Sequence, residues 1–322
     1  MIAIPSVRGV ANRSSMAEQI ILTSTKGTGT WGGGNSAYVT FKNAQRLVVE
    51  YGGTGWSGGA ATVTYGTGTG YGTQSVYISR AVSSSGAKTI TIYPADSSGQ
   101  RTGIITELSL NISTGSSNTQ ISGANFRGCR SLQTIRIQTS SNTITGTLDF
   151  SGMKELTYCS VASGIGNQPT EVNVSGCSSL TTLYLFDMAN FTTITGLSDT
   201  AATLHNLSLD GCGITSLNVN NFVNLFSLSV KNCASLTSLR AQNCTFENYG
   251  YSGYGGYLYT LNGGADLQST SSMTVAAMEQ FFTDLGSVSG NGLIAVIGSG
   301  GSNADTSIAT AKGYTVVGNV PP

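Results

Sequence analysis

Between residues 104 and 246 the chain repeats one apolar pattern, Leu-x-x-Leu-x-Leu, whose x positions are mostly Thr, Ser, Asn, Arg and Tyr. It appears as Leu132-x-x-Ile135-x-Ile137, Leu156-x-x-Cys159-x-Val161, Leu180-x-x-Leu183-x-Leu185, Leu204-x-x-Leu207-x-Leu209 and Leu225-x-x-Leu228-x-Val230. The first-position spacings are 24, 24, 24 and 21 residues, and Leu108 and Leu110 lead the series, with Leu108 lying 27 residues before Ile135. A second apolar set falls half a repeat later: Leu148-x-Phe150, Val172-x-Val174, Leu197, Leu217-x-Val219 and Leu239-x-Ala241. Alternation of this kind reads as short strands, and no helical period fits between them. One such turn cannot bury its own inward side chains, whereas stacked turns form a continuous core. Leu183, Leu185, Leu207, Leu209 and Leu228 are therefore expected to point inward.

A repeat of 20–29 residues with this pattern is the leucine-rich-repeat signature. Five residues after the first apolar residue of these stretches lies a further slot, filled by Met153, Cys177, Met188, Cys212, Phe222, Cys233 and Cys244. A slot that accepts Met and Phe asks for volume, not for a thiolate. Cys177, Cys212, Cys233 and Cys244 are thus expected to be reduced, buried and aligned in one file. None of the six cysteines has Cys-x-x-Cys spacing, so no metal cluster is expected.

Both flanks of the repeat are β-rich. Candidate strands at 19–23, 37–41, 46–51, 61–65, 75–79 and 88–93 alternate with Gly-rich turns, which implies an antiparallel sandwich over residues 17–101. Trp31 and Trp56 sit in its Gly-rich loops, as loop anchors or as sugar platforms. Past the repeat, Val275, Met278, Phe281, Phe282 and Leu285 fall on one helical face. A strand at 293–297, a short helix at 306–312 and a strand at 314–317 follow, so residues 265–322 read as a small α/β cap of the kind a solenoid end requires. Residues 247–264 interrupt the repeat with Tyr249, Tyr251, Tyr254, Tyr257 and Tyr259 on a Gly scaffold. Tyr on adaptable backbone makes paratope-like surface. This string has three readings: an external ligand site, a subunit contact, or local packing.

Composition narrows the function. The chain has 322 residues, 43 of them Gly, and equal numbers (15 each) of basic and acidic residues. Zero net charge argues against bulk polyanion binding, so no nucleic-acid partner is expected. The charge is uneven: residues 1–101 are net +5 and residues 247–322 net −4. A polar assembly with one end docked would suit that asymmetry. The lone His205 sits at an outward position, and no carboxylate pair stands out for glycosidase chemistry. Gly27-Thr-Gly29-Thr-Trp-Gly32 and Gly53-Thr-Gly55-Trp-Ser-Gly58 imitate a nucleotide fingerprint, but more Gly and a strand follow rather than a helix. No catalytic residue, metal or cofactor is expected. Pro5, Ser6, Arg8 and Gly9 break the apolar run that a secretory signal needs, so synthesis in a cytoplasm is expected. No run of about 18 apolar residues exists to span a membrane. Residues 1–16 read either as a flexible tail or as a segment that docks to an assembly.

The units CSSLTTLYL, CGITSLNV and CASLTSLRAQNC resemble the short, Cys- and Ser-rich leucine-rich repeats of BspA-like proteins, and DTSIATAKGYTVVG resembles their closing unit. The resemblance covers roughly residues 104–318. It implies a leucine-rich-repeat β-solenoid over residues 102–246 and ligand binding by its surface, not catalysis. Such repeats occur in surface adhesins and in phage tail and fibre proteins, and the apparent lack of a secretion signal favours the phage branch. The expectation is a virion fibre, tip or decoration subunit, oligomeric, docked to other virion proteins through its N-terminal region and attached to a host-surface glycan or protein. A purely structural virion component and a cellular adhesin are the alternatives. Candidate ligand residues are Tyr249, Tyr251, Tyr254 and Tyr257, with Tyr184, Phe186, Arg240, Trp31 and Trp56 as further candidates.

Overall fold

The computed structural model describes residues 18–24, 29–30, 36–54, 56–57, 61–66, 71–77, 81–82, 86–112, 122–126, 128–139, 144–163, 168–247, 263–290 and 292–318. The protein is mostly β, built around a β-solenoid of about 7 turns. One sheet of 11 strands runs the length of the molecule. Nine of its strands are parallel and in chain order: Ile104–Ile112, Thr134–Thr139, Tyr158–Ser163, Thr182–Phe186, Asn206–Ser208, Ser227–Ser229, Gly264–Asp266, Gly292–Ala295 and Tyr314–Val317. The opposite side of the solenoid carries shorter parallel sheets, Gly146–Asp149 with Pro169–Asn173 and Thr193–Thr195, then Ser216–Asn218 with Ser238–Arg240.

The register places like on like. Leu108, Ile135, Cys159, Leu183, Leu207, Leu228, Ala265 and Ile294 form one column across eight neighbouring strands, all buried. A one-residue slip would turn every one of them to solvent, so the apolar period fixes the stacking. Leu185 and Leu209 are buried beside this column.

The corners follow a second rule. The residue before each slot is left-handed: Gly152, Gly176, Asp187, Gly211, Asn221, Asn232 and Asn243 have φ between +56° and +75°. Gly, Asn and Asp are the residues that tolerate this conformation. The twist turns the corner without interrupting the ladder. The N–H of Gly152 donates to the Ser175 carbonyl of the next turn at 2.7 Å, and that of Asn232 to Gln268 at 2.9 Å. The slot residue then drops inward, with Cys177 N–H on the Val174 carbonyl at 3.0 Å and Cys233 N–H on Val230 at 3.1 Å.

All six cysteines are buried and free. They do not form the expected single file. Each turn has two strands and so two such corners. Cys177 and Cys244 follow the short back strands, whereas Cys212 and Cys233 follow the long sheet. Each thiol also donates to a carbonyl of the preceding turn: Cys177 to Phe150 at 3.1 Å, Cys212 to Leu185 at 3.4 Å, Cys233 to Leu209 at 2.9 Å and Cys244 to Val219 at 3.0 Å. Burial raises all four thiols, Cys177 and Cys244 to about 11 and Cys233 to about 12. A raised folded pKa stabilises the fold fully below the unfolded value and is lost as pH climbs through the folded one. Tyr314, raised to about 12 by burial, acts in the same direction, while buried Lys88, lowered by desolvation, acts in the opposite one. Denaturant titrations between pH 9 and 12 should therefore show stability falling as pH rises. At pH 8 the native protein should resist iodoacetamide, and all six thiols should alkylate once it is unfolded without reductant. A flat alkaline profile or rapid native alkylation would contradict this burial.

The front of the chain is joined to the solenoid through the same long sheet. Ser36–Lys42 pairs antiparallel with Ile104–Ile112, and Tyr71–Tyr77 pairs outside it. Five antiparallel strands, Gly123–Asn125, Ile20–Ser24, Lys88–Ala95, Arg46–Gly53 and Ala61–Gly66, make a second sheet in that spatial order. Inward residues of both sheets share one buried cluster with the solenoid, running from Ile20 to Tyr314.

At the rear, a helix from Val275 to Asp284 takes the place of a back strand. Thr274 caps it, its Oγ1 accepting from the Ala277 N–H at 3.1 Å. Met278, Phe281, Phe282 and Leu285 are buried as the apolar face requires, but Val275 is exposed, because the first turn overhangs the core. No helix among the described residues is long and apolar enough to cross a membrane.

Candidate functional site

Outward residues of the long sheet lie in rows across the strands. One row reads Tyr38, Ser109, Arg136, Ser160 and Tyr184, and the next reads Ser36, Asn111, Gln138, Ala162 and Phe186. Tyr158 begins a third, two residues upstream. The small side chains of Ser109, Ser160 and Ala162, set between Tyr38 and Phe186, leave an open groove of about 450 Å³ around Arg136 and Gln138. Tyr38, half exposed, is one wall and Phe186 the other, with Asn111, Arg136, Gln138 and Asp187 between or beside them.

Rings and a guanidinium brace one another along this face. Arg136 lies over the Tyr158 ring at 4.5 Å. Tyr158 meets Tyr184 edge-on at 5.9 Å and 84°, and Tyr184 meets Phe186 at 5.5 Å and 42°. Such pairs stabilise each other beyond their buried area, so the wall is held before any ligand arrives. Burial, and then neighbouring Tyr158, raises the Tyr184 phenol. It therefore stays protonated near neutral pH, able to donate and accept.

The other candidates lie elsewhere. Arg240 is on the back strand Ser238–Arg240, where its Nε and Nη2 donate to the Asp284 carboxylate at 2.5 and 3.0 Å. Burial raises Asp284, but hydrogen bonds from Arg240, Gln280 and the Ala241 N–H outweigh it, and the carboxyl sits below its ordinary range. Arg240 thus docks the helix. Trp56 is buried, its indole N–H on the Gly52 carbonyl at 2.8 Å and its ring edge-on to Tyr51, which makes it an anchor and not a platform. His205 stacks on Phe226 at 5.7 Å. Trp31, Tyr249, Tyr251, Tyr254 and Tyr257, like residues 1–16, lie outside the described residues. The Tyr/Gly string does interrupt the solenoid without breaking it, because Ser227–Ser229 pairs directly with Gly264–Asp266 across the insertion.

Sequence reasoning missed Tyr38 and Arg136, and the rows themselves were the available signal once the strands were in register. It also missed a carboxylate pair. Burial is the largest cause raising both Asp210 and Asp266, and the Asp266 charge adds to the rise at Asp210. Asp210 accepts from the Ser229 hydroxyl and from the Lys231 N–H at 3.2 Å. Asp266 is buried and accepts from the Gln268 N–H at 3.0 Å, so this pair faces protein. Among the described residues, no three His, Cys, Asp or Glu side chains are grouped to hold a metal ion.

Comparison with protein-family models, curated proteins and solved structures found no match to this chain.

Proposed function

We propose that this chain is a bacteriophage virion structural protein, a fibre, tip or decoration subunit. On this reading the front segment is an antiparallel sandwich that docks to other virion proteins. The solenoid is a leucine-rich-repeat module of the BspA-like kind, displayed outward to hold a host-surface glycan or protein. The observation that supports it is the braced cluster of Arg136, Tyr158, Tyr184 and Phe186 beside an open groove on a rigid sheet. Rigid aromatic side chains lose little rotamer entropy on binding and bury much area. Weak sites on many copies of an oligomer then add through effective concentration.

The test is attachment of the purified protein, presented multivalently, to host cells and to their extracted surface polysaccharide. Wild type should bind, and the double substitution Tyr184→Ala with Phe186→Ala should reduce binding at least tenfold. A matched variant, with Tyr251, Tyr254 and Tyr257 each changed to Ser, asks whether the Tyr/Gly string shares the load. Loss of binding in that variant alone, with its melting temperature unchanged, would move the ligand surface to the string. No attachment by wild type would overturn the reading.

One observation favours a purely structural role instead. Ile297, just past the strand Gly292–Ala295, and Val317, at the end of the last strand of the long sheet, are exposed at 53% and 37%, and the outer edge of that last strand carries no further strand among the described residues. Exposed apolar side chains next to an open edge suit contact with another subunit. Under that reading Ile297→Asp blocks assembly into particles and leaves host binding absent in every variant.

A further inference from the structure

The groove has a chemical bias that the attachment reading leaves open. Arg136 is exposed at the centre of the strand Thr134–Thr139, and its only contact among the described residues is the Tyr158 ring beneath it. Several other cations are engaged: Arg240 with Asp284, Arg101 with Glu50 at 2.8 Å, Arg46 with the Ser97 carbonyl at 2.6 Å, and Lys312 with the Thr283 and Leu285 carbonyls, each at 2.6 Å. A guanidinium seated over a ring makes no hydrogen bond to it through the edge of its N–H fork. That fork matches a planar carboxylate in two parallel hydrogen bonds.

We propose that the groove between Tyr38 and Phe186 binds an acidic oligosaccharide, with the carboxylate of a hexuronate unit held by Arg136. The proposal rests on the reading of this face as a ligand surface and adds the ligand's class. Asn111 and Gln138 are register partners on adjacent strands. Together they offer amide donors and acceptors side by side, the complement of vicinal ring hydroxyls. Phe186 and Tyr38 offer apolar faces at the two ends for the C–H faces of sugar rings. Asp187, past Phe186, accepts from hydroxyls at the end away from Arg136. Among the described residues Arg136 is the one cation along the lining, so one carboxylate is held in the groove and the acidic groups of further units point to solvent. A phosphate, carrying nearly two charges, would call for a second cation.

The dimensions agree. The walls stand on strands four places apart in the sheet, about 19 Å at roughly 4.8 Å per strand. That is an oligosaccharide's reach and not a single ring's. A volume of about 450 Å³ also falls in the range of small-ligand sites. Ser109, Ser160 and Ala162 are small, so the floor lies below the walls, and the groove is open at its top, so a long polymer can pass through it.

Calorimetry with the full chain tests this with five probes. They are an oligoglucuronate, an oligogalacturonate, the same two oligosaccharides after carboxyl reduction to neutral sugars, and a Glu-rich peptide of equal charge. At least one oligouronate should bind at millimolar concentration or below, its reduced form at least tenfold more weakly. Arg136→Gln should cost the acidic sugar about 10–100-fold and leave the neutral one unchanged, because a charged hydrogen-bonding group is lost. Arg136→Lys should recover part of the loss. Phe186→Ala should weaken acidic and neutral sugars alike. Melting temperatures of both Arg136 variants should fall by no more than a few degrees, as the side chain is exposed and an exposed cation–π contact stabilises only modestly. No binding of either oligouronate, equal binding of the reduced sugars, or an unchanged Arg136→Gln variant would each overturn the proposal. Tighter binding of the peptide would overturn it too, in favour of a protein ligand. Failure here is separable from failure of the attachment reading. Host attachment that survives carboxyl reduction of the surface polysaccharide keeps the attachment and removes the uronate. Oligouronate binding without host attachment does the reverse.

Discussion

Leu207→Ala should lower the unfolding free energy by about 2–5 kcal/mol, the range for truncating a buried Leu in a packed core. Leu207 sits in the middle of the solenoid with Leu183 on one side and Leu228 on the other, in exact strand register and all buried. The cost depends on whether the site can collapse around the missing atoms. Here it cannot easily do so. The flanking strands Thr182–Phe186 and Ser227–Ser229 are both hydrogen-bonded to the strand that carries Leu207. Moreover, His205 N–H is tied to the Thr181 carbonyl at 2.8 Å and Leu209 N–H to Ser229 at 2.8 Å, so the strand is pinned at both ends. The upper half of the range is therefore expected. Val223→Ala is the matched control, since Val223 is exposed on the same solenoid, and it should change stability by no more than about 0.5 kcal/mol. Urea titrations of both variants decide the matter. A Leu207→Ala cost near that of Val223→Ala would mean that the column is not the core.

The same variant tests how the turns cooperate. Repeat proteins are stabilised by nearest-neighbour stacking, and a defect in a middle turn can let the two sides unfold separately. One buried cluster runs here from the front sheets to the rear helix without a gap. A single transition should therefore persist in Leu207→Ala, shifted to lower urea.

The repeat was legible because stacking in register forces the same side-chain class into the same slot in every turn. Leu183, Leu207 and Leu228 needed nothing but their spacing. The left-handed corner residues were also visible in principle. A Gly, Asn or Asp precedes Met153, Cys177, Met188, Cys212, Phe222, Cys233 and Cys244, and a φ of +56° to +75° is the reason. What the spacing could not supply was any contact between turns and flanks. Arg240 occupies an outward position by the repeat's rule, yet Asp284, 44 residues on, meets it from a helix that replaces the next back strand. Tyr38 becomes a wall of the groove only because Ser36–Lys42 pairs antiparallel with Ile104–Ile112, nearly 70 residues later. A parallel repeat has no internal signal for the strand that closes its open edge. The two-file arrangement of the thiols was hidden for a related reason. The slot rule is the same at both corners of a turn, so spacing alone merges them.

Glu18 is the clearest case of a residue with no sequence signal and a large structural role, and replacing it should be costly. Its carboxylate is buried at 5% exposure, just ahead of the first strand. One oxygen accepts from the Ile105 N–H at 2.6 Å and the other from the Ser131 N–H at 2.7 Å. Ile105 is the second residue of the strand Ile104–Ile112, at the point where its register with Ser36–Lys42 shifts by a residue, and Ser131 lies in the corner before Thr134–Thr139. Glu18 thus ties the start of the chain to two successive turns at an irregularity in the sheet. Hydrogen bonds to a charged group stabilise by about 1.5–3 kcal/mol each, and stranding buried donors adds a desolvation cost. Glu18→Ala should therefore destabilise by about 3–5 kcal/mol. Glu18→Gln keeps one acceptor but turns an amide N–H₂ towards the other donor, so about half that loss is expected. The contribution should be nearly insensitive to salt between low and physiological ionic strength, because buried interactions are poorly screened. Urea titrations give the free energies. Amide exchange at Ile105 and Ser131 gives the location, with both sites losing protection in Glu18→Ala before the centre of the solenoid does. A loss under about 1 kcal/mol, or protection unchanged at those two amides, would mean that the front sheets are held to the solenoid by their shared apolar core alone.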